Sequence, residues 1–174
     1  MKKELFFTFF LVFQGFLFSQ QVISEAQLRA IEKDVWIPFM EAYATLNPDK
    51  LIQIHTKDIV RITVDANTVE SGESYLENFG GFLEQTAQQG GGLGIAFALL
   101  STAINAEGTI AFQTGYYEFS SKSSQEAALK VRGYGQFSVG LRLQDGQWRI
   151  FLDADKRVPI TFEEFESQAR VYRL

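Results

Sequence analysis

The sequence predicts an α+β domain in which helices come first and a strongly curved, mostly antiparallel sheet of about five to six strands follows. Apolar residues recur at helical spacing as far as the Gly90-Gly91-Gly92 run, and from Ile95 onward long segments are rich in Phe, Tyr, Val and Ile. Glu107-Gly108 and Asp145-Gly146 then read as hairpin turns, which makes the strands they join antiparallel. With 174 residues, 46% hydrophobic content, 21% charge and no cysteine, the composition excludes a disulfide scaffold and a disordered chain. The net charge of −5 supplies no overall attraction to nucleic acid or to anionic lipid.

Taken in order, Lys2 and Lys3 precede an apolar stretch from Leu5 to Phe18, and Ser19 leads into Gln20 and Gln21. This is the layout of a secretory signal peptide. The expectation is that residues 1–19 are removed and that residues 20–174 form one exported domain, periplasmic or secreted, free of the membrane after removal. Ser24 and Gln27 have capping-box spacing, and Leu28, Ile31, Val35 and Phe39 continue at helical intervals, so a first helix spans about Glu25 to Leu46. Pro38 lacks an amide donor and predicts a kink near Asp34. Asn47-Pro48-Asp49 opens a short second helix that His55 closes. Ile59 to Ala66 alternates as a strand that Asn67 breaks.

Ser71 caps a third helix with Tyr75, Phe79, Phe82 and Leu83 as its apolar stripe. Strands follow at Ile95 to Ala106, Thr109 to Ser121, Ala128 to Gln144 and Gln147 to Asp155. Two of them exceed the usual length of about 5 to 6 residues, which predicts bulges at Gly115, Gly133, Gly135 or Gly140. Thr161 and Glu164 cap a short carboxy-terminal helix.

This element order, with Lys57-Asp58-Ile59-Val60 after the second helix, Gly72 opening the third and a closing Asp145-Gly146-Gln147-Trp148-Arg149-Ile150 hairpin, resembles the nuclear transport factor 2-like superfamily. That superfamily includes ketosteroid isomerases and SnoaL-like polyketide cyclases. The resemblance implies a cone: a bent sheet wraps three amino-terminal helices and leaves an apolar cavity between them. It also implies that the open face of the sheet can pair, so a homodimer is one expectation. In the isomerases a helix-one tyrosine and two strand aspartates do the chemistry. The family pattern places Phe39 at the tyrosine and Thr63 at the base, and Ser138 to Gly140, without a carboxylate, at the second aspartate. No strand carries the Arg-x-Asp of the limonene epoxide hydrolases.

The remaining candidates are weaker. His55 and Asp58 could act as base and orienting carboxylate, although a cationic His55 also suits a helix end and Asp58 a turn; Asp153 is a third catalytic candidate. Single His and absent Cys exclude a His/Cys zinc site, and no metal or cofactor is expected. If Thr63 faces the cavity, Arg61 shares its face and needs an internal carboxylate or an anionic ligand. Against this, the alternation of Val60, Ile62 and Val64 would leave Arg61 in water. Trp36, Phe39 and Tyr43 read as core or as pocket wall, one of Tyr116 and Tyr117 must face the helices, and Arg132 shares a polar face with Tyr134 and Gln136.

The leading expectation is a pocket lined by Trp36, Phe39, Tyr43, Arg61, Thr63, Tyr117 and Arg132 that binds a small apolar or carboxylate-bearing molecule. On that view Arg61→Ala abolishes binding of an acidic ligand and leaves the fold intact. The alternative is an isomerase, cyclase or hydrolase using an unfamiliar acid–base set in the same pocket. A burial-shifted ionisable group in the cavity favours catalysis, and a wall of Phe, Leu and Ile alone favours binding.

Overall fold

The computed structural model describes residues 23–174. The segment read as a signal peptide lies outside the described residues.

Ser24 accepts from the Gln27 amide and Gln27 reaches back to the Ser24 amide, completing the capping box that starts α1 (Glu25–Ile31). The chain then passes without interruption through a π-helical turn, Glu32–Trp36, into α2 (Ile37–Thr45). Pro38 explains the turn. It has no N–H for the Asp34 carbonyl and its ring crowds that group, so the backbone widens and the Ile37 amide reaches Glu32 instead. The predicted kink is therefore one extra residue in the spiral. Leu46 ends α2 in the left-handed region, and Asn47 caps α3 (Pro48–Gln53) by accepting from the Lys50 amide at 2.9 Å.

His55 does not close a helix. It opens β1 (His55–Thr63), which begins earlier than the alternation suggested and ends in a 3-10 turn, Val64–Ala66, with Asn67 at φ 54°. β2 (Thr68–Ser71) returns antiparallel to β1, and Ser71 then precedes α4 (Gly72–Gln88), its side chain making no cap bond. β3 (Gly92–Ile104), β4 (Ile110–Lys122), β5 (Lys130–Gln144) and β6 (Gln147–Val158) form a meander. Its last hairpin turns on Asp145 (φ 52°) and Gly146 (φ 78°), the paired positive angles of a type I′ turn. α5 (Phe162–Glu166) and β7 (Arg170–Tyr172) complete the chain.

The sheet has seven strands in the order β2-β1-β6-β5-β4-β3-β7, one or two more than expected. β2 and β7 account for the difference, being too short for alternation to show. All pairs are antiparallel except β1 with β6, which run parallel. Register shifts leave Leu100, Arg132 and Phe151 as extra residues of the meander, so these bulges sit beside Gly115, Gly133 and Gly140 as anticipated, and a further shift lies between His55 and Val60 where β1 meets β6. They bend the meander around the helices.

The main core lies in the concavity, where Ile31, Val35, Trp36, Leu83, Leu141 and Ile150 are fully buried. A smaller one lies on the convex face, where Phe165 of α5 covers Ala96 and Ala98. Trp36 Nε1 donates to Gln113 Oε1 at 2.9 Å, and Gln113 Nε2 donates to Thr102 Oγ1 at 3.0 Å, so a polar chain crosses the core fully paired. Trp36→Phe leaves the buried Gln113 carbonyl without its donor and should cost about 1 kcal/mol, measured by urea unfolding. An unchanged midpoint would show that Gln113 finds another partner.

Candidate functional site

Where the bulged sheet curves away from α2 and α4, a cavity of about 590 Å³ opens. Its wall is aromatic. Trp36, Phe39 and Tyr43 come from the first helical run, Phe79 from α4, and Phe97 and Phe137 from β3 and β5. Trp36 and Phe97 have centroids 4.6 Å apart, and Phe39 lies edge-on to Phe97 at 5.2 Å, so the rings form one continuous surface. Trp36, Phe39 and Tyr43 are thus core and wall at once: each is buried and each borders the cavity.

A polar cluster breaks into this surface, and Glu70, Asn78, Arg132 and Arg157 also border the cavity. Arg61 Nη1 lies 2.8 Å from Asp153 Oδ2, Arg61 Nη2 lies 2.6 Å from Asp155 Oδ1, and Tyr117 donates its hydroxyl to Asp155 Oδ2 at 2.9 Å. The parallel register produces it: Arg61 stands directly across from Asp153 and Thr63 across from Asp155, all on the concave face. Arg61 therefore faces inward, and the apolar set of Ile62 and Val64 takes the outer side. Its need for a counterion is met twice over by the chain itself.

Burial pushes the Asp153 carboxyl above the usual range, Arg61 opposes that shift, and Asp155 reinforces it. Burial alone would lower the Arg61 guanidinium, but Asp153, Tyr75 and Asp155 more than offset it and hold the group firmly charged. Burial also raises the Tyr43, Tyr75 and Tyr117 hydroxyls, which remain protonated donors. The close approach of Tyr117 depends on Gly135, its partner on β5, because a Cβ there would collide with the tyrosine ring. Tyr116 points the other way, into the convex-face cluster.

The other sequence candidates separate. Arg132 borders the cavity because it is the bulged residue, and it pairs with Glu126 at 2.7 Å; the same bulge splits it from Tyr134, whose hydroxyl donates to Glu118 at 3.1 Å. Asp58 is exposed and lies 3.1 Å from Arg142, away from the cavity. His55 sits one layer behind the wall, its ring about 6.1 to 6.3 Å from those of Phe39, Tyr75 and Phe79. The Leu51 carbonyl, 2.8 Å from Nδ1, can only accept, so the proton is on Nδ1 and the buried Nε2 has no partner. Burial lowers the His55 pKa to about 4, the opposite of the cationic helix cap expected from sequence. No base–carboxylate pair joins His55 and Asp58.

Ser138 to Gly140 carry no carboxylate, as read from the sequence; the carboxylates near them belong to the neighbouring strand, where Asp155 is across from Phe137 and Asp153 across from Val139. The spacing Asp153-x-Asp155 was the available signal, since residues two apart share a strand face.

A family model for the SnoaL-like domain matches residues 33–152. The chain belongs to the SnoaL-like domain family. Solved structures share the fold of this SnoaL-like chain. A conserved protein from Planctomyces limnophilus DSM 3776 is 18% identical, with a TM-score of 0.63 over 78% of this chain and 100% of its own. Aln2 from a Streptomyces species is 13% identical, with a TM-score of 0.66 over 79% of this chain and 94% of its own. A ketosteroid isomerase-like protein from Erwinia carotovora atroseptica SCRI1043 is 15% identical, with a TM-score of 0.57 over 79% and 100%. At such identities the likeness is one of fold. No curated protein matches the chain. Asp153 and Asp155 lie just past the matched span, so the two carboxylates that pair with Arg61 in this SnoaL-like cavity come from residues beyond it. No helix among the described residues is long and apolar enough to cross a membrane.

Proposed function

We propose that the chain holds a small, largely apolar molecule in this cavity, with the polar end of that molecule hydrogen-bonded at Asp155 and Tyr117. The observation that carries the reading is an aromatic-walled space of about 590 Å³ ending on one buried ion-pair cluster. Because Arg61 is engaged by two aspartates, a ligand carboxylate is disfavoured there and a hydroxyl or other donor is favoured.

The test is uptake of N-phenyl-1-naphthylamine, an uncharged aromatic amine, followed by quenching of Trp36 in the cavity wall. Saturable binding is expected, and Tyr117→Phe should weaken it about threefold by freeing Asp155 to rotate. Absence of uptake, together with native mass spectra showing only the bare chain, would overturn the reading.

A second reading is proton transfer on the bound molecule. The raised Asp153 carboxyl, beside Asp155 in an apolar cavity, supports it, since a carboxyl shifted toward neutrality can both give and take a proton. Asp153→Asn should then retain binding and lose turnover. We further propose export with removal of residues 1–19, which amino-terminal sequencing of the mature protein tests. Pairing of two copies through the convex face is supported by exposed Leu100, Ile110 and Phe112, and sedimentation velocity tests it.

A further inference from the structure

We infer that the molecule held in this cavity is an organic cation, an aromatic or alicyclic amine whose ammonium group lies against Asp153 beside the tyrosine rings; this rests on the pocket reading above. The sheet sets the charge. Glu70, Arg61 and Asp153 stand side by side in one row across β2, β1 and β6, and Thr63 and Asp155 stand in the next. All five border the cavity, so three carboxylates face one guanidinium. The other cations of the lining do not redress this. Arg132 is paired with Glu126 at 2.7 Å. Arg157 is exposed at the rim, four residues along β6 from Asp153, or roughly 13 Å at strand spacing.

Asp153 is the group left short of a partner. The residue is only 7% exposed, and Arg61 engages its Oδ2. Oδ1 accepts from no donor among the described residues and stays open to the cavity that Asp153 borders. Burial raises the carboxyl and Arg61 offsets that only in part, so one guanidinium does not fully compensate this charge. A second cation at Oδ1 does.

The wall around the cluster suits a cation as well. Tyr43 and Tyr75, 7% and 6% exposed, flank Phe79 with ring centroids 6.3 and 5.5 Å from it. Arg61, Asp153 and Asp155 all act on the two tyrosine hydroxyls, which places those ring tips near the ion pairs. Aromatic faces carry the negative part of the ring quadrupole and attract a desolvated ammonium. A neutral hydroxyl gains a hydrogen bond here but neither the ring attraction nor the pairing with Asp153, and a carboxylate meets like charge.

Three probes with one body separate charge from shape: 2-naphthylmethylammonium, 2-naphthylmethanol and 2-naphthylacetate, each titrated by calorimetry. At neutral pH the ammonium should bind about tenfold tighter than the alcohol, and the acetate weakest. Asp153→Asn should bring the ammonium within about twofold of the alcohol, whereas Glu77→Gln, at an exposed position of α4, should leave the order and the affinities unchanged. Wild-type protein that binds the alcohol or the acetate as tightly as the ammonium overturns the inference and keeps the pocket reading, whether or not the Asp153 variant folds. An ammonium preference that survives in Asp153→Asn, or an equal loss in Glu77→Gln, overturns it too. Failure of all three probes to bind overturns the two readings together.

Discussion

Replacing Arg61 with methionine should destabilise the protein by about 3 to 5 kcal/mol at neutral pH. Removing one partner of a buried ion pair leaves the other charge in low dielectric, and here it leaves two carboxylates facing each other across a strand face. The side chains of Arg61, Asp153 and Asp155 are only 16%, 10% and 16% exposed, so solvent can screen little of the cost. The expectation that Arg61→Ala spares the fold held for an arginine awaiting a ligand. With the aspartates in place, the guanidinium is part of the structure. Urea unfolding of Arg61→Met, Asp153→Asn and the double variant measures the coupling: the double should recover part of the loss, and additive penalties would contradict a shared cluster. The penalty should also shrink on acidification, because a protonated Asp153 no longer needs the counterion.

Acidification should weaken the native protein through His55. Its folded pKa of about 4 lies below the ordinary histidine value of 6.5, so between these limits the unfolded chain binds more protons than the folded one. Stability is then complete above about pH 6.5 and falls as pH drops toward 4, with about 2 kcal/mol lost by pH 5. Desolvation in the aromatic box is the main cause, and the charge on Arg61 adds to it. His55→Gln has nothing to titrate there, so its unfolding midpoint should depend less steeply on pH across this window. Parallel curves for wild type and variant would mean that His55 is solvated in the native state.

What sequence could and could not show divides along the range of the interactions. Capping boxes at Ser24 and Thr161, the Pro38 irregularity and the Asp145-Gly146 turn are local chemistry, and all appear where expected. The inward face of β1 was ambiguous because both readings of Arg61 were physically sound, and only the parallel pairing with β6 decides between them. That pairing joins residues far apart in the chain. His55 was misplaced by a smaller margin: its neighbours Leu51 and Ile54 suit a helix end, but burial beneath Phe39 and Phe79 removed the charge that a helix end would favour. Arg132 reached the cavity through a bulge that period-two counting cannot locate.

The last strand has a protective role that its length conceals. β3 would otherwise end the sheet with unpaired amides and carbonyls along its outer margin, an invitation to strand addition by other chains. Arg170 to Tyr172 occupy that margin opposite Leu99 to Phe97, and the buried ring of Tyr172 pins them down. Shortening the tail would thus unmask a polymerisation seam, and handling losses by precipitation would appear before any change in the remote cavity.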